Sequence, residues 1–324
     1  MIEQNLHIQD NNDRCPCKKK EKALTICIAS ICEANTGSPR IVFCSDRLVT
    51  DSNGLTFEQG KAKVDMLLPN CLIMNAGDAS RGGAIIRDAF LELASMQSEK
   101  KEKINIKEIA ELVKKHYDIH RNQAIEQQIF ESRGMDRKTF YTNMKSIYDW
   151  LALMIDNRVQ SYNFDVAFII LGIDIIQETK WSAAHLYQIS CNQLQYLSPM
   201  GFSMVGIGSY QSLPELTKEP YNPSMPLSEC LVRTFWAKKL SERMVSVGKD
   251  TTDLGILYVE PDQTTQRIIS KNTLLADNFK QELLARAFEQ QKEVIKQLTD
   301  KVQKNINNAF QGKPIETTNP SAST

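Results

Sequence analysis

Apolar runs of strand length recur in pairs along this chain, and each pair is closed by a turn cluster. The run 24–32 is followed by 40–49, with Asn35-Thr36-Gly37-Ser38-Pro39 between them. The runs 63–68 and 71–76 flank Pro69-Asn70. Such short runs need a neighbour for their backbone N–H and C=O groups, and short polar connections make that neighbour antiparallel. Strand character returns at 164–174, 183–189, 194–197, 204–209 and 253–259. Helical periodicity falls in blocks between them. It covers 82–96, with Ala84, Ile85, Ala89, Phe90 and Leu93 on one stripe. It resumes at 104–117 and 137–159 on either side of a break at Gly134, with Tyr148, Leu151 and Ile155 on the apolar face of the second. A further helix is expected at 227–244, carrying Leu231, Phe235 and Lys239 at helical spacing. Strands, helices, strands, helix, strand: this order predicts an α+β fold of two antiparallel sheets sandwiched between helix layers.

The organisation follows from composition. Residues 1–24 are rich in Asp, Asn, Lys and Glu and read as a disordered leader, propeptide or untranslated segment. Residues 25–275 form the main domain, enlarged by a helical insertion at about 103–161. Residues 276–310 read as an amphipathic helix with Phe279, Leu283, Phe288, Ile295, Leu298 and Val302 as a partial stripe. Residues 311–324 are Pro/Thr/Ser-rich and read as a disordered tail. At 324 residues and 42% hydrophobic, the chain can bury a sizeable core. Lys+Arg and Asp+Glu are both 39, so there is no electrostatic reason to expect nucleic acid or an anionic membrane as partner. Near-zero net charge also favours assembly over life as a dispersed monomer.

No apolar run reaches the length of a membrane span, and the polar N-terminus lacks the apolar core of a secretory signal. A cytoplasmic location is expected. The eight cysteines are scattered, several inside strand-like runs, which suits buried free thiols rather than a disulfide framework. Cys15-Pro16-Cys17 is the close pair, without the further ligands that would complete a metal site. His116 and His120 are one helical turn apart but have no third ligand in reach by sequence. His185, in an alternating strand, reads as a satisfied core histidine. No metal or other cofactor is expected.

The segment 25–77 carries the chemistry. It holds Thr25 at the start of a strand, Ser45-Asp46-Arg47, Lys61-Ala62-Lys63-Val64 and Asn75-Ala76-Gly77-Asp78, in that order. A hydroxyl is a weak nucleophile and needs a base within hydrogen-bond reach. An N-terminal threonine can use its own α-amine, of reference pKa ~8, directly or through water. A neighbouring ammonium favours the neutral amine, and an acid can orient that ammonium. Each residue also has an ordinary reading. Threonine is common in strands, Asp46-Arg47 could be a surface ion pair, and Lys61 shares a strand face with Lys63. Ser209, after Gly206-Ile207-Gly208, reads equally well as a turn serine.

With these motifs in place, the chain resembles the proteasome-type branch of the N-terminal nucleophile (Ntn) hydrolases, which includes proteasome β subunits and bacterial HslV. Thr25-Ile26-Cys27-Ile28-Ala29 is similar to the family's first strand, Ser45-Asp46-Arg47-Leu48-Val49-Thr50 to its acid motif, and Lys63-Val64 to its lysine strand. Ala76-Gly77 resembles its oxyanion turn, and Gly206-Ile207-Gly208-Ser209 the later turn whose serine supports the threonine amine. The resemblance covers roughly 25–96 and 164–259. It implies a four-layer αββα sandwich, Thr25 as nucleophile, Lys63 and Asp46 as its activators, the Gly77 N–H as oxyanion donor and Ser209 as support. It also implies autoprocessing and a homo-oligomer acting on peptides or other amides. The chain departs from the pattern in extra residues near Gly37, in the longer helical block and in the late acid motif. There Gly248-Lys249-Asp250-Thr251-Thr252-Asp253 offers two aspartates, Asp250 and Asp253.

The expected function is therefore an N-terminal-threonine amidohydrolase, foremost a peptidase, active after loss of residues 1–24. Leader removal can be autocatalytic or by another protease, or a leucine codon at Leu24 can serve as a bacterial start. The alternative is a catalytically inactive scaffold or assembly protein that keeps its leader and binds a protein partner. If Leu24 rather than Thr25 holds the family's first position, the nucleophile is lost, and Cys27 inside the strand is a poor substitute. Small-amide hydrolysis is a third option.

Overall fold

The computed structural model describes residues 25–50, 56–58, 63–99, 104–176, 181–244, 247–248, 252–261 and 268–275. The chain divides into two units, Met1–Leu274 and Leu275–Thr324, and the elements that follow belong to the first. The expected leader, the helix at 276–310 and the tail lie outside the described residues.

Five strands make the first sheet: β1 (Cys27–Cys32), β2 (Arg40–Asp46), β10 (Phe202–Val205), β11 (Thr252–Pro261) and β12 (Ile268–Leu274), in the order β10-β1-β2-β11-β12. The second sheet is β5 (Val64–Leu68), β6 (Cys71–Gly77), β7 (Val166–Ile176), β8 (Trp181–Ser190) and β9 (Gln193–Tyr196), in sequential order. Every pairing in both is antiparallel. A small ribbon, β3 (Leu48–Thr50) and β4 (Thr56–Glu58), follows β2.

Alternation along the strands explains why the sheets stack. Cys27, Ala29 and Ile31 of β1 and Ile41 and Phe43 of β2 share one apolar cluster with Leu72, Met74 and Ala76 of β6 and Ile169, Leu171 and Ile173 of β7. The residues between them point the other way. Ile26 and Ile28 pack with Leu216 and Ala237, which belong to α5 (Ser209–Thr217) and α6 (Leu227–Ser241). Ile73, Phe168 and Ile170 pack against α1 (Ala79–Glu99) and α2 (Ile106–Ile125). Both sheets are thus covered on both faces, which is why CIASIC in β1 is buried at every position and reads as unbroken apolar sequence.

The described protein is therefore mixed α+β, with two antiparallel sheets facing each other and helices outside them. Several local expectations change. Helix α1 starts at Ala79 and buries Ile85, Ile86, Ala89 and Leu93, while Phe90 is largely exposed. Helix α2 runs past Tyr117 to Ile125, started by a reciprocal capping box between Asn105 and Glu108. The expected helix at 137–159 is two, α3 (Arg137–Thr142) and α4 (Asp149–Gln160). Tyr148, expected on an apolar face, is 78% exposed, while Ile155 packs with Phe130 and Phe140. Strand β10 begins at Phe202 and stops at Val205, so Ser209 opens helix α5, which the sequence pattern did not separate from the strand. Strand β12 was not expected either.

Two histidine–carboxylate pairs join α1 to α2. His116 Nε2 lies 2.9 Å from Glu92 Oε2, and His120 Nε2 lies 2.8 Å from Asp88 Oδ2. The i,i+4 spacing on each helix makes the two contacts parallel. Among the described residues, no group of three or more His, Cys, Asp or Glu could hold a metal. His185 differs from its expected reading. Its Nε2 is 3.2 Å from Asp174 Oδ2, but its buried Nδ1 has no partner. Five cysteines, Cys27, Cys32, Cys44, Cys71 and Cys230, are buried free thiols, and Cys191 is exposed. Cys15 and Cys17 lie outside the described residues. Among those residues, no helix is long and apolar enough to cross a membrane.

The hydrogen bond from His120 holds the Asp88 carboxyl below its ordinary value, with Arg87 adding to the effect. The bond from Lys115 does the same for Glu92, with His116 adding to it. A lowered folded-state value means stability that is present above the ordinary carboxylate range and lost as pH falls through the folded value. Partly exposed pairs of this kind contribute ~0.2–1 kcal/mol each. The double variant Asp88→Asn, Glu92→Gln should therefore flatten the decline of Tm between about pH 5 and 3. An acid limb equal to that of the wild type would show that the pairs add nothing to helix docking.

Candidate active site

The site is built on the paired ends of β1 and β2. Cys27 opposes Ser45 in the register, so Thr25 and Ile26 lie beside Asp46. The backbone N–H of Asp46 donates to Ile26 O at 3.3 Å. Asp46 is fully buried, and an ionised carboxylate there must find donors. Its Oδ1 accepts from the Thr25 hydroxyl at 2.6 Å, the Ile26 N–H at 3.1 Å and Lys63 Nζ at 2.8 Å. Its Oδ2 accepts from the Gly248 N–H at 3.0 Å.

Lys63 enters from the other sheet, one residue before β5. Its carbonyl accepts the Asn75 N–H at 3.1 Å, which fixes its backbone against β6. Its ammonium donates to Thr25 Oγ1, to Asp46 Oδ1 and, at 2.5 Å, to Leu48 O. An ammonium has three donors, and these contacts use them all. The side chain is 11% exposed, so the cation is held in a largely dry setting where charge interactions are strong. Between the two lysines left open by sequence, Lys63 is the residue that touches Thr25, and Lys61 lies outside the described residues.

The Gly206-Ile207-Gly208 turn closes over Thr25 through its backbone. Gly206 has φ +99°, and a Cβ there would lie 2.2 Å from Thr25 O. The Gly208 N–H donates to the same carbonyl at 3.3 Å. The Ser209 hydroxyl donates to Gly206 O at 2.7 Å and so closes the turn. The structure thus brings the turn to Thr25 but aims the serine back at its own loop.

Gly77 ends β6, two residues beyond Asn75. Its φ of +103° and a would-be Cβ 2.2 Å from Asp165 O both demand glycine, because the β6–β7 crossing is tight there. Arg47 does not pair with its neighbour Asp46. Its guanidinium forks onto Asp253, with Nε at 2.9 and 3.0 Å and the terminal nitrogen at 2.6 Å. Asp253 opposes Ser45 on β11, so this pair ties β11 to the strand that carries Asp46. Asp250 lies outside the described residues.

Cys27 is excluded as a substitute nucleophile. Burial pushes its thiol well above the ordinary range, and its Sγ lies 3.5 Å from Asn75 O as a donor. Two participants escaped the sequence reading. Gly248 supplies a backbone N–H, which has no side-chain signature. Lys238, fully buried on α6, donates to Gly248 O at 2.9 Å. Its signal was the stripe Leu231, Thr234, Lys238, Ser241, which has helical spacing and places Lys238 inward instead of Lys239.

Chemically, the arrangement suspends one hydroxyl between a carboxylate that accepts its hydrogen bond and an ammonium that would stabilise an alkoxide. Removing the Thr25 hydroxyl takes one of four donors from Asp46 and should cost ~1 kcal/mol. Lys63→Met takes its counter-charge and should cost ~3–5 kcal/mol. Urea unfolding of the two variants should rank them in that order, and equal losses would show that Lys63 is not the carboxylate's main support. No protein-family model matches this chain, and no curated protein matches it.

Proposed function

We propose that this chain is a threonine-type amidohydrolase of the proteasome-like Ntn class, foremost a peptidase, with Thr25 as nucleophile once residues 1–24 are gone. The observation that carries the reading is the convergence of Thr25, Asp46 and Lys63 from three separate segments on one buried cluster. The two face-to-face antiparallel sheets with outer helices support the corresponding four-layer αββα Ntn-hydrolase sandwich.

In this reading the freed Thr25 amine takes the hydroxyl proton, directly or through water, as Oγ1 attacks the amide carbonyl carbon. Lys63, oriented by Asp46, keeps the amine neutral and steadies the developing alkoxide. The Gly77 N–H faces the oxyanion in the tetrahedral intermediate. The C–N bond then breaks, and the amine product leaves with the proton held by the Thr25 ammonium. Water hydrolyses the remaining ester and restores the threonine. No metal or cofactor takes part. Catalysis within a homo-oligomer in the cytoplasm completes the proposal.

The decisive experiment joins intact mass with N-terminal sequencing of the protein from its native host, followed by peptide cleavage by the mature form. A chain beginning at Thr25, whose cleavage falls ~10³-fold or more in Thr25→Ala, is the expected result. A chain that retains residues 1–24 through purification and assembly would overturn it and favour the scaffold.

A further inference from the structure

A second lysine stands behind the site. Lys238 is fully buried on α6, and its Nζ has three acceptors for three donors: Gly248 O at 2.9 Å, Thr252 Oγ1 at 2.5 Å and Glu242 Oε1. Two of these flank Asp46. Gly248 gives its N–H to Asp46 Oδ2 at 3.0 Å, and Thr252 is the residue opposite Asp46 in the β2–β11 register. Lys238 therefore grips the chain at Gly248, the residue that meets the carboxylate, and again at Thr252, beside the Asp46 backbone.

Packing alone does not account for a lysine here. A buried ammonium loses its hydration, and a methionine would fill similar space without that loss. What only the ammonium supplies is a set of donors that fix the Gly248 carbonyl and the Thr252 hydroxyl. Glu242, 15% exposed on its side chain, balances the charge from one turn along α6 and also receives Lys239.

We propose that Lys238 is a positioning residue: by holding Gly248 through its carbonyl it fixes that residue so that its N–H locks Asp46 Oδ2, and thereby sets the carboxylate plane that orients Lys63 and Thr25. Oδ1 carries three donors while Oδ2 carries the Gly248 N–H. Loosening Gly248 lets the carboxylate rotate about its Cβ–Cγ bond, and both Thr25 and Lys63 follow. The effect falls on the reacting group and not on substrate contacts. Its kinetic consequence rests on the reading of Thr25 as nucleophile, but the hydrogen-bond clamp does not.

Two readouts separate these levels. In Lys238→Met, amide hydrogen exchange at Gly248 should quicken by about tenfold or more, while the central amides of β7 keep their protection. In the mature enzyme, alkylation by a peptide vinyl sulfone, in which Thr25 Oγ1 adds to the vinyl β-carbon and the α-carbon takes the proton, should show kinact reduced about tenfold or more with KI unchanged, after active-site titration. Unchanged exchange at Gly248 would overturn the clamp. Quickened exchange with kinact unchanged would overturn the positioning role, as would a loss confined to KI or to the fraction of active sites. A wild-type mature chain that is never alkylated at Thr25 by the vinyl sulfone would instead sink the proposed function, leaving the exchange result to judge the clamp. If Lys238→Met does not fold, Thr252→Val, which removes one of the lysine's acceptors, should move both readouts the same way by a smaller factor, and no movement would overturn the proposal.

Discussion

A carboxylate with no exposed surface is the constraint around which this structure is arranged. Asp46 receives four hydrogen bonds: two from the residues just before β1, one from the residue before β5 and one from the stretch before β11. Those donors come from positions 21, 20, 17 and 202 residues away. The first two need only the β1–β2 pairing, but all four coexist only when the second sheet brings Lys63 and the stretch before β11 brings Gly248. The charge is thus satisfied only in the assembled fold, and any rearrangement that removes a donor leaves a desolvated anion.

The sheets deliver these donors because their pairing is fixed by side-chain alternation. A one-residue slip of β2 against β1 would carry Phe43 and Ile41 out of the core between the sheets and turn Asp46 into it. Apolar burial therefore enforces polar register. The Arg47–Asp253 fork reinforces the same register from the other side of β2, where Asp253 opposes Ser45. Arg47 thus serves the site by holding β11 beside β2.

Much of this was legible in the sequence, for physical reasons that differ between elements. Paired apolar runs and turn clusters revealed the sheets, because strand pairing is local wherever a hairpin links the strands. The order Thr25, Asp46, Lys63 picked out three side chains that the structure joins by hydrogen bonds, because a hydroxyl, a carboxylate and an ammonium complement one another, whereas Gly77 is fixed by its backbone approach to Asp165. Strand β12 was missed because its residues, with Ser270, Lys271 and Asn272 inside it, lack an apolar alternation. The exposure of Tyr148 was missed because the break between α3 and α4 resets the helical phase at Asp149. The late acid motif stayed ambiguous because Asp253 takes its meaning from Arg47, a partner 206 residues away.

The two lysines show how the same side chain divides its work by depth. Lys63 is 11% exposed and points all three donors at oxygens around Thr25, with two of those oxygens borne by side chains. Lys238 is fully buried and binds a backbone carbonyl, a hydroxyl and Glu242. Only the first shares its acceptors with a candidate nucleophile, so only it can respond directly to charge developing on Thr25. The second is committed to oxygens whose charge would not change during a reaction at Thr25. It can therefore stay fixed while the first responds, and preorganised stabilisation of developing charge requires that fixed frame.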